Sequence, residues 1–338
     1  MFFLVLHIAG NAAFLLLVRA GRGRRFSYPL VGLTNYATAA ALAAAALAWG
    51  APTVPDPRAA AFGALNGAQY QVTYVLMYVL LGLLGVAVTT SLLRLSVVVP
   101  VLASITLWGE WPTPAQGVGL LLAAGALPLL SVPAGAHSSV ISATGGTPAP
   151  PASDIKSSAW VGDLSGRGSG AAARLPVIVL ALVTVLISGA GLLAAKAFAE
   201  LELPEQRPIY VLAVYAVATL LAALSWPWRD RFTIRPPPAL SANAGPTGVA
   251  LPSAYLRRRS ARSLALGALV GVVNIAQIWV LLPALEQVPG VLAFPLAAAG
   301  GLALSTLGAY FMWHERVGRR AGIGIGLAML AAALANVR

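Results

Sequence analysis

Trp108-Gly109-Glu110, followed by Gly117 and Gly119, returns later in the chain as Trp313-His314-Glu315, followed by Gly322 and Gly324. The offset is 205 residues at every matched position, and each copy lies between two long apolar runs. A self-match at one fixed offset in so apolar a chain points to an internally duplicated membrane protein, each half of about five helices.

Composition supports a membrane solvent. The 338 residues are 59% hydrophobic and only 9% charged, with a mean hydropathy of +0.82. A soluble domain carries roughly 25% charged residues, so too few charges remain here to cover a water-facing surface. Apolar runs near 20 residues recur along the chain, each long enough to cross a hydrocarbon core of roughly 30 Å. They are about twice the length of a barrel strand and do not alternate, so they are read as helices, which satisfy their own backbone in lipid.

Ten spans are expected, at 2–18, 28–49, 62–81, 84–107, 115–133, 175–195, 208–226, 264–283, 289–312 and 321–337. Spans three and four, and eight and nine, are joined so briefly that each pair must be antiparallel neighbours. The expected organisation is a first five-helix repeat over 1–134, a flexible Gly/Ser/Pro linker over 135–174 and a second repeat over 175–338. The second repeat carries a long loop at 227–262 that is basic where it rejoins the membrane, at Arg257-Arg258-Arg259 and Arg262. An odd number of spans per half gives the repeats opposite topology: an all-α integral membrane fold of ten transmembrane helices as two inverted five-helix repeats. Sites in such folds lie near the midplane between the repeats.

The net charge of +12 does not mark a nucleic-acid partner, because the arginines fall between apolar runs and no aromatic-basic groove pattern accompanies them. The implied partners are the lipid bilayer and a small-molecule substrate. The absence of cysteine excludes disulfides and thiolate chemistry. No cofactor or metal site is expected. Lysine occurs only at Lys156 and Lys196, which, with the alanine excess, suits a GC-rich bacterial genome and an inner-membrane location. Loops one–two, five–six, seven–eight and nine–ten hold 17 Lys and Arg against 4 on the other side. The positive-inside rule then places both termini outside.

Arg94-Leu95-Ser96-Val97-Val98-Val99-Pro100-Val101, with Trp108-Gly109-Glu110 and Gln116-Gly117, resembles the end of an EamA-type repeat of the drug/metabolite transporter superfamily. The second copy, from Gly290 to Gly322, is similar but more diverged, with Ser305 in place of Pro100 and Ala299 in place of Arg94; Asn35-Tyr36 also resembles bacterial members. The resemblance implies a ten-helix bundle with a central cavity. Its motifs do not choose among the amino acids, sugars, nucleotide-sugars, lipid-linked sugars and drugs that members carry. Many members are described with cytoplasmic termini, opposite to the charge count.

Several polar residues interrupt the apolar runs. Arg94 falls near the middle of the 84–107 span, where a charge costs roughly 2.5–3.5 kcal/mol and should face the bundle or a cavity. It could clamp a carboxylate or phosphate, or bond helix carbonyls. Glu110 and Glu315 close spans four and nine, as gates or proton-coupling groups, or as interfacial residues near the N-terminus of the next helix. Lys196 reads as an i,i+4 surface pair with Glu200 or a snorkelling side chain; a cavity-facing ammonium is the alternative. His7 and Asn11 share one face of span one, lining a cavity or bonding another helix.

Spans three and eight carry Gln69, Tyr70 and Tyr74, and Asn274, Gln277 and Trp279. With Asn35 in span two they suit a polar substrate, or serve as packing glue. Gln69 matches Asn274, and Tyr74 matches Trp279, at the same offset of 205. Pro100 and Pro295 within spans four and nine free backbone carbonyls. No catalytic motif is present: there is no Gly-x-Ser-x-Gly elbow, paired mid-span aspartates or His-Glu-x-x-His. The expected function is a secondary carrier of a small polar metabolite working by alternating access. The alternative is a non-transporting membrane scaffold or assembly partner.

Overall fold

The computed structural model describes residues 1–21, 26–50, 54–131, 171–227, 253–314 and 318–335. Every regular element among the described residues is helical. In chain order the α-helices are α1 (Phe2–Gly21), α2 (Tyr28–Trp49), α3 (Pro57–Leu95), α4 (Val98–Trp108), α5 (Pro114–Ser131), α6 (Ala171–Ala199), α7 (Arg207–Leu224), α8 (Ser253–Gln287), α9 (Gly290–Trp313) and α10 (Arg319–Leu334). A 3-10 turn, Pro204–Gln206, leads into α7. Among the described residues, six stretches are long and apolar enough to cross a membrane: Phe2–Ala20, Pro29–Trp49, Pro176–Ala199, Pro204–Leu224, Ser260–Gln287 and Gly290–Trp313.

Local chemistry sets the helix ends. Asp56 caps α3 by accepting from the Arg58 N–H at 2.8 Å, with Pro57 pre-set at the first position. Helix α4 stops at Gly109 in the left-handed region, φ 64°, and α9 stops in the same way at His314, φ 52°. The duplicated Trp-x-Glu stretches therefore build one device twice, a helix halted by a single left-handed residue. Gly109 adopts that conformation freely, whereas the Cβ of His314 makes it cost roughly 1–2 kcal/mol.

Three boundaries differ from the expected spans. The α6 helix begins at Ala171, so the last residues of the expected 135–174 linker are helical; residues 132–170 lie outside the described residues. The α8 helix begins at Ser253, so Arg257-Arg258-Arg259 and Arg262 stand on its first turns and not in a loop. No glycine or proline between 253 and 266 stops the helix from growing beyond its apolar part.

Spans three and four also part differently. Helix runs through 81–84, and the break falls at Ser96-Val97. The rod is not straight. Thr73 Oγ1 lies 3.3 Å from Ser188 Oγ, while the Ser96 carbonyl abuts the next residue of α6, Gly189. A straight helix would hold residues 73 and 96 roughly 34 Å apart. The chain thus bends sharply somewhere between residues 73 and 96.

Helix packing falls into exchanged pairs. Helix α3 packs on α6 and α7, and α8 packs on α1 and α2; α4 lies on α6, and α9 on α1. Helices α2 and α7 pack on each other, as do α5 and α10. The exchange extends to residues. Gly63 and Gly67 press against the carbonyls of Tyr210 and Val214, just as Gly267 and Gly271 press against those of Val31 and Asn35. Thr73 meets Ser188 as Gln277 meets Gly10, and Ser96 meets Gly189 as Gly301 meets Asn11.

These contacts set the register of α3 against α8 at 204 residues, one less than the Trp-x-Glu stretches. At that offset Tyr70 stands level with Asn274. Close approach of backbone at glycine, rather than likeness of side chains, decides this register.

Candidate functional site

The centre of the bundle, where α2, α3, α7 and α8 meet, is a belt of tyrosines and amides. The Tyr36 ring stacks on Tyr70 with centroids 6.5 Å apart, and Tyr70 meets Tyr215 edge-on at 6.3 Å. Tyr210 stacks on Phe198 at 4.3 Å and its hydroxyl accepts from Asn66 Nδ2 at 2.7 Å. Asn274 Nδ2 donates to Asn35 Oδ1 at 3.3 Å, joining α8 to α2. Tyr74 lies over Gly32, whose missing side chain admits the ring. The absence of a Cβ at Gly191 likewise lets α6 close over Gln69 and Asn66.

The belt is under-satisfied. Gln69 Nε2 donates to Thr73 Oγ1 at 2.7 Å, but Gln69 Oε1 is buried without a hydrogen-bond partner among the described residues. The same holds for Asn66 Oδ1, Gln71 Oε1 and the Tyr215 hydroxyl. A buried polar atom left unpaired costs about 1–3 kcal/mol. Asn66 and Tyr215 belong to the ring cluster itself, whereas the Gln71 amide reaches Ser225 just past the end of α7.

His7 and Asn11 do not act as a pair. His7 Nδ1 is 3.1 Å from the Gln277 carbonyl oxygen of α8, whereas Asn11 Nδ2 donates to the Ala297 carbonyl of α9 at 3.3 Å. Each side chain ties α1 to a different neighbour. The Gln277 side chain fills the space beside Gly10, and Trp279 packs on the apolar core. Pro100 and Pro295 are buried in their helices.

Arg94 lies in the last turn of α3, half-buried, and no described residue forms a hydrogen bond or ion pair with its guanidinium. Two residues on, Ser96 touches Gly189, ten residues before the end of α6. That is roughly 15 Å along the helix from its end.

A second polar group closes one end of the bundle. Lys196 is only 2% exposed, and its Nζ lies 2.6 Å from Glu110 Oε1 and pairs also with Glu200. It reaches the Leu285 carbonyl at 3.5 Å and stands 5.9 Å from the Trp108 ring centroid. The other Glu110 oxygen accepts from the Val291 N–H at 3.2 Å, in the first turn of α9. The i,i+4 partner foreseen for Lys196 is therefore present, but the surface placement is not. Lys196 is sealed by four helix ends because its partner Glu110 folds inward. Glu110 does sit at a helix N-terminus, though of α9 and not of the helix that follows it. Beside this cluster Arg207 pairs with Glu286, and Ala199, Glu200, Glu202, Pro204 and Glu286 line an opening of about 300 Å³. Glu315 lies outside the described residues.

Sequence reading passed over Tyr210, Tyr215 and Arg207 and gave Tyr36 no role at the site, whereas Asn66 was among the span-three amides it read as suiting a polar substrate. It also passed over Gly63-x-x-x-Gly67 and Gly267-x-x-x-Gly271, whose equal spacing was the signal available.

No family model and no curated protein matches the chain. By structure the chain is similar to a solved protein described only as "Crystal structure of protein", with a TM-score of 0.61 and 21% identity. The superposition covers 99% of this chain and 95% of that one. At that identity the likeness is one of fold, shared from end to end.

Proposed function

We propose that the chain is an EamA-type secondary carrier of the drug/metabolite transporter superfamily, resident in a bacterial inner membrane and without catalytic chemistry. In this reading its ten helices form two inverted five-helix repeats, and a small polar metabolite crosses by alternating access. The exchanged helix pairs favour the repeats: the packing of α3 on α6 and α7 is mirrored by that of α8 on α1 and α2. Corresponding helices run in opposite directions because each half has five.

The observation that carries the transport reading is the belt of rings drawn from both halves at the bundle centre, with unpaired amide atoms of α3 beside it. A scaffold needs only packing, and leaving polar atoms unpaired there would weaken it. Arg94, without a partner among the described residues, favours a cargo with a carboxylate or phosphate, which a planar fork binds at two points.

The test is a thermal-stabilisation screen of the purified chain against amino acids, sugars, nucleotide-sugars and sugar phosphates, followed by counterflow in liposomes. A ligand at 100 times its Kd adds roughly 2.7 kcal/mol of stability. Failure of every solute to stabilise or exchange, with monodisperse protein, would reject the carrier in favour of the scaffold.

A further inference from the structure

The helix termini gather into two ends of unlike charge. Lys196 and Glu110 bring the ends of α6 and α4 to the start of α9, and Arg207 with Glu286 adds the start of α7 and the end of α8. Gln206 Oε1 accepts from the Asp56 N–H at 3.0 Å, which adds the start of α3. The described carboxylates, Asp56, Glu110, Glu200, Glu202, Glu205 and Glu286, therefore all stand at this end. The described basic side chains there, Arg58, Lys196 and Arg207, each pair with one of them.

The opposite end is basic. Arg19, late in α1, stands 5.8 Å from the ring centroid of Trp313, which ends α9. Helix α2 begins seven residues after α1 stops, and the Ser27 N–H before it donates to Ser263 Oγ, early in α8, at 3.0 Å. Helix α10 begins six residues after Trp313. This end carries Arg257-Arg258-Arg259 and Arg262 on α8 and Arg319-Arg320 on α10, with no carboxylate among the described residues. The joining segments, counted by sequence, keep the sign: the end then holds 17 Lys and Arg against Asp154, Asp163, Asp230 and Glu315.

Two of these arginines top helix faces that point away from the bundle. Arg262 is exposed and precedes Leu269, 49% exposed, by two turns of α8. Arg319 is exposed and precedes Ile323, 58% exposed, by one turn of α10. Exposed leucine and isoleucine on a spanning helix face hydrocarbon, so an arginine on the same face farther out meets the headgroups. Ser263, tied to the start of α2, sets that depth for Arg262, and Arg258 follows one turn farther out in register. Neither Arg262 nor Arg319 forms a hydrogen bond or ion pair with a described residue.

We propose that the arginine end of the bundle is a docking surface for anionic phospholipid, with Arg262 and Arg319 each holding a headgroup phosphate. This goes beyond the carrier reading and needs only that the helices span a bilayer. A guanidinium fork meets a phosphate at two points. Each basic residue at an anionic surface strengthens association by about fivefold. The basic side chains of the other end are already engaged by carboxylates, so that end has no such preference.

The test titrates the full-length protein in neutral detergent with phosphatidylglycerol or phosphatidylcholine and reads apparent affinity from the rise in melting temperature. Phosphatidylglycerol should bind about tenfold tighter or more. Arg262→Gln with Arg319→Gln should weaken it by about tenfold or more and leave phosphatidylcholine unchanged, while Arg262→Lys with Arg319→Lys keeps most of the preference. Arg58→Gln, at the acidic end, should alter neither lipid. A glutamine pair within about twofold of the parent would overturn the proposal, as would an equal loss in Arg58→Gln. Displacement of the lipid by inorganic phosphate would overturn it too, by marking a site for soluble anions. If the glutamine pair does not yield monodisperse protein, salt decides on the parent. Ionic strength near 1 M, with a screening length of about 3 Å, should erase the preference, and its persistence would refute the charge-based docking. Protein that stays monodisperse with neither detergent nor lipid would sink the proposal together with the membrane reading.

Discussion

Replacing Gly271 by alanine tests the exchanged packing directly. A Cβ there would stand 2.5 Å from the Asn35 carbonyl oxygen and 2.9 Å from Thr38 Cβ. Carbon and oxygen settle at roughly 3.2 Å or more, so α8 and α2 must part by about 0.7 Å, an overpacking worth about 1–3 kcal/mol. The Asn274–Asn35 hydrogen bond lies one turn along and is already 3.3 Å long. Such a separation stretches it beyond useful length and removes a further ~1 kcal/mol. Against this stands the helix-propensity gain of Ala over Gly, about 1 kcal/mol. The net expectation is a loss of roughly 1–3 kcal/mol, seen as a fall of a few degrees in melting temperature. Intrinsic-fluorescence melting in detergent is the assay. Gly326→Ala is the control, since a Cβ there meets nothing within 4 Å and the helix gain should show alone. Gly67→Ala, whose Cβ would press on the Val214 carbonyl, should behave as Gly271→Ala does. If Gly271→Ala and Gly67→Ala melt with Gly326→Ala, the close approach of the repeats is wrong.

Arg94→Ala should abolish transport while leaving membrane-inserted protein, and Arg94→Lys should weaken it, because one ammonium does not reproduce a bidentate fork; normal uptake per folded Arg94→Ala molecule would remove Arg94 from the site. Tyr210→Phe should cost about 1–3 kcal/mol by leaving the Asn66 amide buried and unpaired, and adding Asn66→Leu should recover part of that loss; strict additivity in a double-mutant cycle would deny the bond. The Arg58 side chain and N–H hold the Asp56 carboxyl below its ordinary value of 3.8. Its cap on α3 is therefore present above that value and lost as pH falls through the depressed native one. Melting temperatures of parent and Asp56→Ala should differ by a constant amount at neutral pH and converge below about pH 4; a constant gap down to pH 3 would contradict this. A cysteine in place of Arg258 should resist an impermeant thiol reagent added outside intact cells, because the charge count puts that basic stretch inside; ready labelling would reverse the orientation.

Much of the bundle was legible in the residues. Tyr28–Trp49 was expected to the residue, because Pro29 opens it and Gly50 follows it. The stretches ending at Trp108 and Trp313 were found by their self-match. The boundaries that differed, at α6, α8 and α3, were set by hydropathy alone. Polar residues can extend a helix beyond its apolar part, as the first turns of α8 do, and an apolar run can bend without a polar break, as α3 does. The belt was half legible: amides and aromatics in spans three and eight stood out against the apolar background. Tyr210 and Tyr215 did not, since a tyrosine in an apolar helix carries no mark of which way it faces.

Apolar composition and run length determined that the chain is helical and long enough to cross a membrane, and a fixed-offset repeat determined where its duplicated stretches lie. These are properties of one segment or of two segments compared, and local energetics suffice for them. Which residues meet was decided only in three dimensions. Lys196 looked like a surface lysine because its i,i+4 partner is in its own helix; it is buried because Glu110, 86 residues earlier, turns inward onto the start of α9. The register of α3 against α8 moved by one residue because backbone packing on glycine outweighs resemblance between side chains. Long-range contacts of this kind depend on how the described helices share one interior, and no stretch of sequence holds that information by itself.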